Sequence, residues 1–388
     1  MTFPTTQPPL SNLRLIDLTE ALAGPYCTMM LGDLGADVIK IERPGAGDQS
    51  RKWGAKRADG SSAYFCSTNR NKRSLTLDLK LPAAQEVMQR LLATADVLVC
   101  NVPRLDSLKR LGLHPDDVRA AHPRLIYCAI SGYGHSGPNA GLGGYDLVAQ
   151  GEAGLMSITG TPESAPIRYP IPLADMTTGM YSALAILAAI LAREQTGQGQ
   201  FIDMSLLESQ AVWTTIVAAD YFATGQPPKP IGNEHPGIVP YQVFQTADKP
   251  IIVAVGTDRL WAAFCEVIGL GPEVRDDPHF ADNPSRVAHR RELIPIVQSR
   301  IAAQTADLWI PRMRTAEIPC GPINSVPDLL GDRHYLARHN LVSFGDLITL
   351  ANPMKLADTP PSYRLPPPKL GEHSREVLES LGYSPEEV

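Results

Sequence analysis

One carboxylate, Asp175, stands at the start of a long apolar stretch and is the first candidate for chemistry in this sequence. The segment from Pro170 to Gly197 reads PIPLADMTTGMYSALAILAAILAREQTG, and no Lys or Arg lies within six residues of Asp175. Asp is a favoured helix N-cap, because its side-chain oxygen accepts a hydrogen bond from a backbone N–H of the first turn. Alternatively, a carboxylate held ionised by a helix N-terminus can act as a nucleophile on an electrophilic carbonyl. These residues alone leave both interpretations open.

Basic residues are concentrated in two runs, although the chain carries a net charge of −6. The runs are RKWGAKR at 51–57 and NRNKR at 69–73. Such runs usually form solvated faces. The alternative is a site for a polyphosphate ligand, for which Trp53, Tyr64 and Phe65 offer aromatic surfaces beside the cations.

Other common chemistries find little support in the sequence. The turn TEALAGPY has one glycine where a dinucleotide-binding turn has three, and Pro25 lacks the N–H that a phosphate would need. The nine histidines and six cysteines show no metal-ligand spacing, so we expect no metal site. No G-x-S-x-G motif of a serine hydrolase occurs. The glycine-rich SGYGHSGPNAGLGGYD at 131–146 could hold phosphate but is equally typical of turns.

Alternating strand-like and helical segments predict the elements that position these residues. The strand-like segments are LRLIDL (13–18), ADVIKIE (36–42), DVLVCN (96–101) and RLIYCAIS (124–131). This alternation predicts an α/β fold with a largely parallel sheet. We predict a long helix over 176–194 and a further helix after 201–209. Pro and Gly cluster at 223–240 as in a linker, and PIIVAVG (250–256) begins a shorter α+β segment.

Composition is ordinary for a soluble globular protein of two or three domains. The 388 residues are 20% charged and 44% apolar. Because the chain is acidic, with a pI near 5.9, we expect no binding to nucleic acid or to an anionic membrane. The start shows no secretory signal, and the longest apolar run, 183–192, is shorter than a bilayer span. Unpaired cysteines in apolar surroundings are typical of a reducing compartment, so we expect a cytoplasmic protein.

Six segments, in order along nearly the whole chain, carry a family resemblance. They are DLTEALAGPYCTMMLGDLGADVIKIERPGAGDQSR, NRNKRSLTLDLK, PRLIYCAISGYGHSGP, GGYDLVAQ, PLADMTTGMYSALAILAAILAREQTGQGQFIDMSLLES and PPPKLGEHSREVLESLGYS. Together they resemble the class III coenzyme A-transferases, the family of formyl-CoA transferase, carnitine CoA-transferase and alpha-methylacyl-CoA racemase. The resemblance implies a substrate that is a coenzyme A thioester and no tightly bound cofactor. It also places the family's nucleophilic aspartate on Asp175.

The resemblance further implies a Rossmann-like large domain with a parallel sheet, a smaller α+β domain, and an interlocked, ring-shaped homodimer. In this chain the large domain would cover 1–222 and the small domain 223–327. Residues 328–388 would then return to the large domain.

Further residues are carried over from the family motifs. Those that match the lining of the active site are Ala21, Leu22, Ala23, Tyr145 and Asp146. Those that match the coenzyme A contacts are Arg43, Leu77, Lys80, Asn101 and Arg110. The chain departs from the family at Leu22, where formyl-CoA transferase has glutamine, so a formyl or oxalyl substrate is not expected. It also reads NVPRLDSLKRLG, the segment that contains Arg110, instead of E-N-F-R-P-G.

Within the family, the sequence favours transfer over racemisation. The racemases carry G-H-D, with histidine as a proton-transfer base, where this chain has Gly144, Tyr145 and Asp146. Tyrosine, whose ordinary pKa is about 10, is a poor base at neutral pH. A 2-methylacyl-CoA racemase and a non-catalytic CoA-binding protein remain the alternatives.

The segment NEHPGIVPYQVFQT (233–246) resembles the family branch that includes succinyl-CoA:glutarate CoA-transferase. We therefore expect succinyl-CoA as donor and a C4 to C6 dicarboxylic acid as acceptor. The distal carboxylate of such an acid needs a cation or several hydrogen-bond donors. The candidates are Arg168, His235 and Tyr241, although Arg168 could instead support the Asp175 loop and His235 could merely end a turn.

Overall fold

The larger part of the chain is built on a six-stranded parallel sheet, in a computed structural model that describes residues 7–384 and residue 386. The strand order is β3-β2-β1-β4-β5-β6, which is the order of doubly wound nucleotide-binding folds. The strands are β1 Arg14–Leu18, β2 Asp37–Glu42, β3 Lys72–Thr76, β4 Val97–Cys100, β5 Ile126–Ser131 and β6 Phe201–Ser205. The four predicted strands and the parallel α/β class are confirmed, whereas β3 and β6 were not predicted as strands.

Helices cover both faces of this sheet. They are α1 Ala23–Asp33, α2 Ala63–Thr68, α3 Pro82–Thr94, α4 Pro115–Ala121, α5 Asp146–Glu152, α6 Leu173–Thr196, α7 Leu206–Ala211 and α8 Thr215–Thr224. Because side chains alternate along a strand, neighbouring residues of β1 point to opposite faces of the sheet. Leu15 packs in the core that includes α1 and α6, whereas Ile16 packs in the core that includes α3.

By its internal contacts, the chain divides into two compact units. The large unit comprises Met1–Met156, Arg168–Pro227 and Arg338–Val388, and the small unit comprises Ser157–Ile167 and Pro228–Ala337. The three-part division at 222/223 and 327/328 stays a prediction.

The small unit has its own sheet and its own apolar core. Its antiparallel strands are β7 Tyr241–Gln245, β8 Pro250–Ala254 and β9 Cys320–Pro322, in the order β7-β8-β9. Its helices are α9 Asp258–Ile268, α10 Pro272–Arg275, α11 Asn283–Ala288, α12 Arg290–Ala302, α13 Ala306–Thr315, α14 Val326–Gly331 and α15 Arg333–Ala337. Helix α9 buries Trp261, Phe264 and Ile268 on one face against the sheet and α12, as an amphipathic helix requires. The α+β character predicted for this segment is confirmed.

Helix α6 begins earlier than the sequence predicted. Its N-cap is Pro172, and Asp175 lies in the first turn, where no side chain caps the helix from the N-cap position. The prediction of Asp175 as N-cap is therefore wrong, because Leu173 and Ala174 already have helical conformation. The helix is long and apolar enough, at a mean hydropathy of 1.4, to cross a membrane by length and composition. In this structure it packs against α1, where a Cβ on Gly179 would lie 2.6 Å from the Ala23 carbonyl oxygen.

The basic run at 69–73 contributes buried ion pairs to the core of the large unit. Arg70 pairs with Asp33 at 2.6 Å, and Lys72 pairs with Asp17 at 3.0 Å, with all four side chains at most 3% exposed. Both predictions for this run, a solvated face and a polyphosphate site, are therefore wrong for Arg70 and Lys72. The reason is that their acidic partners lie on β1 and α1, which adjoin the run only after folding.

A later stretch of the chain runs along the outer edge of β3. The side-chain oxygen of Asn71 accepts hydrogen bonds from the backbone N–H groups of residues 364 and 365. The Ser74 carbonyl oxygen accepts a hydrogen bond from the backbone N–H of His373 at 3.0 Å. The backbone N–H of Gly371 donates to the Ser74 hydroxyl, 297 residues away in sequence. The stretch also includes the hairpin β10 Leu341–Phe344 and β11 Leu347–Leu350, and it ends in α16 Ser374–Ser380. Edge strand β3 is thereby covered.

Candidate active site

A cavity of about 440 Å³ opens in the large unit at the carboxyl ends of three neighbouring strands. The segments 20–23 after β1 and 101–103 after β4 line it, the end of β5 lines it at 130–132, and α6 contributes Asp175. In doubly wound sheets ligands bind at this edge, where the strand order reverses between adjacent strands. The cavity is therefore the candidate active site of the large unit.

Asp175 is a half-buried carboxylate in the wall of this cavity. Burial, with a contribution from the negative charge of Asp146, raises the pKa of Asp175 to about 7. The positive end of the α6 dipole opposes this effect without overcoming it. The expectation that the helix holds Asp175 ionised is thus corrected, since near pH 7 both protonation states are populated.

Asp146 fixes the start of the helix that carries Asp175. One carboxylate oxygen accepts the backbone N–H of Ala174 at 2.8 Å, and the other accepts the side-chain amide of Gln150 at 2.8 Å. The buried Gln150 also accepts the N–H of Tyr169 at 2.8 Å. Asp146 therefore caps α6 from the first turn of α5, and Gln150 holds the segment that leads into it.

The loop between β1 and α1 brings Ala21, Leu22 and Ala23 into the cavity wall. Asn101, which also lines the cavity, accepts the N–H of Glu20 at 3.0 Å and donates to its carbonyl at 2.7 Å. Asn101 thus holds the backbone of this loop in a two-point amide contact.

Glycines allow two backbone segments to touch at the cavity. A Cβ on Gly132 would lie 2.6 Å from the Cα of Gly144, and one on Gly144 would lie 2.4 Å from the Cα of Gly132. No side chain fits between these segments, so backbone groups form this part of the wall. Such groups can stabilise an oxyanion when their N–H bonds point at it.

Aromatic side chains form another part of the wall. Tyr64 and Trp53 meet edge to face at 5.4 Å and both line the cavity. Burial, together with the charges of Asp175 and Asp146, raises the pKa of Tyr64 to about 12. The sequence identified these aromatics only as companions of the basic runs. Nothing in the sequence around these aromatic residues indicates that they lie beside Asp175.

Of the remaining residues carried over, some lie in this cavity and others do not. Tyr145, 70% exposed, and Arg168 line it. Arg43 pairs with Glu20 at 2.9 Å outside the lining. The residues of the proposed CoA set that lie outside the lining are, besides Arg43, the buried Leu77 and the exposed Lys80 and Arg110.

The two other candidates for the substrate carboxylate belong to the small unit. The rings of His235 and Tyr241 pack at 5.1 Å between centroids, and the backbone N–H of Gly237 donates to Nδ1 of His235 at 3.1 Å.

Within residues 7–384 and 386, no group of three or more His, Cys, Asp or Glu side chains could hold a metal ion.

Comparison with known proteins identifies the class to which this fold and cavity belong. CoA-transferase family III matches residues 10–374, and the chain belongs to this family of enzymes, which use CoA thioesters as substrates. A succinate–glutarate CoA-transferase of Agrobacterium fabrum is 41% identical over 389 residues, covering 97% of both chains. Human succinyl-CoA:glutarate CoA-transferase is 38% identical, covering 96% of this chain and 86% of the human one.

A solved structure shows the same fold. The crystal structure of a CAIB/BAIF family protein from Brucella suis superposes with a TM-score of 0.88 at 37% identity. The match covers 97% of this chain and 100% of that one. The family resemblance read from the sequence is therefore confirmed.

Proposed function

We propose that this protein transfers coenzyme A from an acyl-CoA, succinyl-CoA in particular, to a free C4 to C6 dicarboxylic acid, with Asp175 as the nucleophile. The observation that carries this proposal is the position of Asp175, a half-buried carboxylate in a cavity that backbone loops and aromatic rings line. Exclusion of water matters here, because an acyl-aspartyl anhydride hydrolyses readily in its presence.

The chemistry balances without an added oxidant or nucleotide. A carboxylate oxygen of Asp175 attacks the thioester carbonyl, the C–S bond breaks, and CoA leaves as thiolate, while the acyl group remains on Asp175 as a mixed anhydride. The thiolate then attacks the Asp175 carbonyl, which releases the first acid as a carboxylate and leaves an aspartyl-CoA thioester. The acceptor acid attacks this thioester, and the same two steps run in reverse. One thioester is exchanged for another, so the equilibrium lies near balance.

The dicarboxylate assignment is supported by the relatives and by one cation. The Agrobacterium and human proteins are named for succinate or succinyl-CoA and glutarate. A Chloroflexus aurantiacus relative, 35% identical, is named for succinyl-CoA and L-malate. Arg168 in the cavity wall is a guanidinium that can bind a second carboxylate in a bidentate manner. A role of His235 and Tyr241 in binding the carboxylate stays a prediction.

Coenzyme A itself carries phosphates that need cations. Lys80 and Arg110 have exposed side chains that take part in none of the ion pairs among the described residues. Arg43 is exposed but already paired with Glu20. We assign Lys80 and Arg110 to the phosphates, with Arg43, Leu77 and Asn101 as further contacts.

We also propose that the protein is a homodimer and acts in the cytoplasm. Exposed apolar side chains cluster on α6 and between α7 and α8, around a surface groove of about 510 Å³. They include Met180, Tyr181, Leu184, Val212 and Trp213. Such a patch on one subunit is typical of an interface, and a second copy is the partner that the family resemblance implies. Light scattering should give twice the chain mass, and Leu184→Asp should give the monomer, whereas the equally exposed Leu81→Asp should not.

The test of function is a matrix of acyl-CoA donors against free acids, read by mass spectrometry. We expect the best turnover for succinyl-CoA with a dicarboxylate, and loss of at least about 10³-fold in kcat for Asp175→Ala with the fold intact. Hydroxylamine added after acyl-CoA alone should convert Asp175 to a hydroxamate that peptide mapping locates. Near-normal transfer by Asp175→Ala would contradict the mechanism. Stereochemical scrambling of a 2-methylacyl-CoA without transfer would favour a racemase.

The dicarboxylate site has a separate test. Arg168→Ala should raise KM for glutarate at least about tenfold and leave KM for a monocarboxylate acceptor of similar length unchanged. Equal effects on both acids would contradict a role for Arg168 in binding the distal carboxylate.

A further inference from the structure

Ala21, in the cavity wall, has a backbone conformation that a residue with a side chain rarely adopts. Its φ is +72°, in the left-handed region. A residue persists there only where its surroundings over-determine the backbone, and such positions cluster at functional sites. The backbone N–H of Ala21 donates to Oδ1 of Asp48 at 3.1 Å. The same oxygen accepts the N–H and the hydroxyl of Ser50, which fixes Asp48 itself.

Asp48 belongs to a buried ion pair that contacts the same loop twice. Its other oxygen lies 2.9 Å from Nζ of Lys40, and neither side chain is exposed. The Lys40 ammonium also donates to the carbonyl oxygen of Thr19 at 2.7 Å. Burial opposes both charges, yet Asp17 and Asp48 raise the pKa of Lys40, and Lys40 lowers the pKa of Asp48, so the pair stays charged.

The loop that this pair holds is continuous with the start of α1. A Cβ on Gly24 would lie 2.4 Å from the side chain of Thr19, so the two ends of the loop fit against each other without spare room. Leu22 and Ala23 form the first backbone groups of α1 and line the cavity together with Asp175. A shift of Thr19 or Ala21 would therefore move the backbone beside the reacting carboxylate.

We infer that Lys40 and Asp48 are positioning residues, whose ion pair holds the 20–23 backbone in register with Asp175 for the transfer reaction. This inference rests on the proposed function, since it concerns the same site. A buried ion pair need not stabilise a fold, because replacing both partners by apolar residues is often neutral. We therefore assign the Lys40–Asp48 ion pair a role in fixing the geometry of the loop.

The experiment compares two double variants that each remove a fully buried ion pair from the large unit. Lys40→Met with Asp48→Leu leaves Asp17 paired with Lys72, so we expect it to fold. It removes the hydrogen bonds to the Ala21 N–H and to the Thr19 carbonyl oxygen. The matched control is Arg70→Met with Asp33→Leu, which removes a pair that contacts residues 349–350 instead of the loop. We expect kcat to fall at least about 30-fold in the first variant, with KM for acyl-CoA within about threefold, and kcat to stay unchanged in the control.

The single variants Asp48→Asn and Asp48→Ala test the hydrogen bond to Ala21 directly. The amide oxygen of the Asp48→Asn side chain can still accept the Ala21 N–H, whereas Asp48→Ala has no acceptor there. The kcat of Asp48→Asn should recover at least about tenfold over Asp48→Ala, at a similar folded fraction. Hydrogen exchange of peptides covering 19–24 should accelerate in the double variant and in Asp48→Ala but not in the Arg70 control. Unchanged kcat, or unchanged exchange, in the double variant would overturn the positioning role.

The exchange measurement also separates this inference from the proposed function. If the wild type transferred no CoA with any donor, the proposed function would fail, while the protection of the loop by Asp48 and Lys40 would still be measured. If the wild type transferred CoA and the double variant did so at the same rate, only the positioning role would fail.

Discussion

The carboxylate of Asp146 accepts the backbone N–H of Ala174 at 2.8 Å, directly before the proposed nucleophile in the chain. One side chain thereby has two opposing effects on Asp175. It stabilises the start of the helix that carries Asp175, and its negative charge helps to raise the pKa of that residue.

The pH dependence of transfer should follow the ionisation of Asp175. Attack on the thioester needs the carboxylate, so kcat/KM for acyl-CoA should rise with pH up to about 7 and then level off. Asp146→Asn keeps an oxygen for the Ala174 N–H but removes the charge, so the rise should move to lower pH. Asp203→Asn is the control, because its carboxylate also accepts a backbone N–H, that of His135. Superposable profiles for wild type and Asp146→Asn would contradict the coupling.

The stability of the folded protein should depend on pH in the opposite direction and should decrease as Asp175 ionises. A carboxyl whose pKa is higher in the folded state than in the unfolded state binds its proton more tightly when folded, so its ionisation costs stability as pH rises through 4 to 7. Asp175→Asn removes this cost. We expect its Tm to exceed that of the wild type by about 2–4 °C at pH 8 and by less than about 1 °C at pH 4.5. Thermal unfolding followed by circular dichroism at both pH values tests this, and an equal difference at both would argue against a raised pKa.

The contact between Gly132 and Gly144 should tolerate no side chain. Gly132→Ala would force the two backbones apart, and we expect a loss of about 2–3 kcal/mol in unfolding free energy together with reduced transfer. Gly143→Ala is the matched control for stability, because a Cβ there meets no atom within 4 Å. Urea unfolding of both variants measures the difference. Equal midpoints would show that the loop relaxes without cost.

Recognition of coenzyme A should depend on Lys80 and Arg110. Their single alanine variants should raise KM for acyl-CoA about three- to tenfold and weaken its dependence on salt, since a charge-assisted phosphate contact is lost. Lys109→Ala is the control, because Lys109 is exposed nearby but paired with Asp106 at 2.7 Å. Unchanged KM in both test variants would place the phosphates elsewhere.

Local pattern was enough to predict the strands of the parallel sheet, because apolar runs such as that of β5 have every residue buried. It was not enough for β6, or for β3 and the residues before it, where Arg70 and Lys72 look solvent-facing until folding brings Asp33 and Asp17 beside them. Contacts across such sequence distances leave no trace in local charge patterning.

For the candidate site, too, the sequence predicted some features and missed others. Family motifs led to Asp175, Tyr145 and Asp146, all of which line one cavity. The helix start was misplaced because Pro172, and not Asp175, is the N-cap, and Asp146 satisfies the first turn from another helix. The raised pKa of Asp175 also depends on burial and on a neighbouring charge, neither of which a single sequence displays.

The stretch of chain that covers β3 has a consequence for biosynthesis. Because Gly371 and His373 bond to Ser74 across almost three hundred residues, the edge of the sheet stays open while the whole small unit is being translated. An open edge strand is a template for pairing with other chains. A nascent chain of this enzyme should therefore be most prone to aggregation, and most in need of chaperones, in the interval before residues 362–374 emerge from the ribosome.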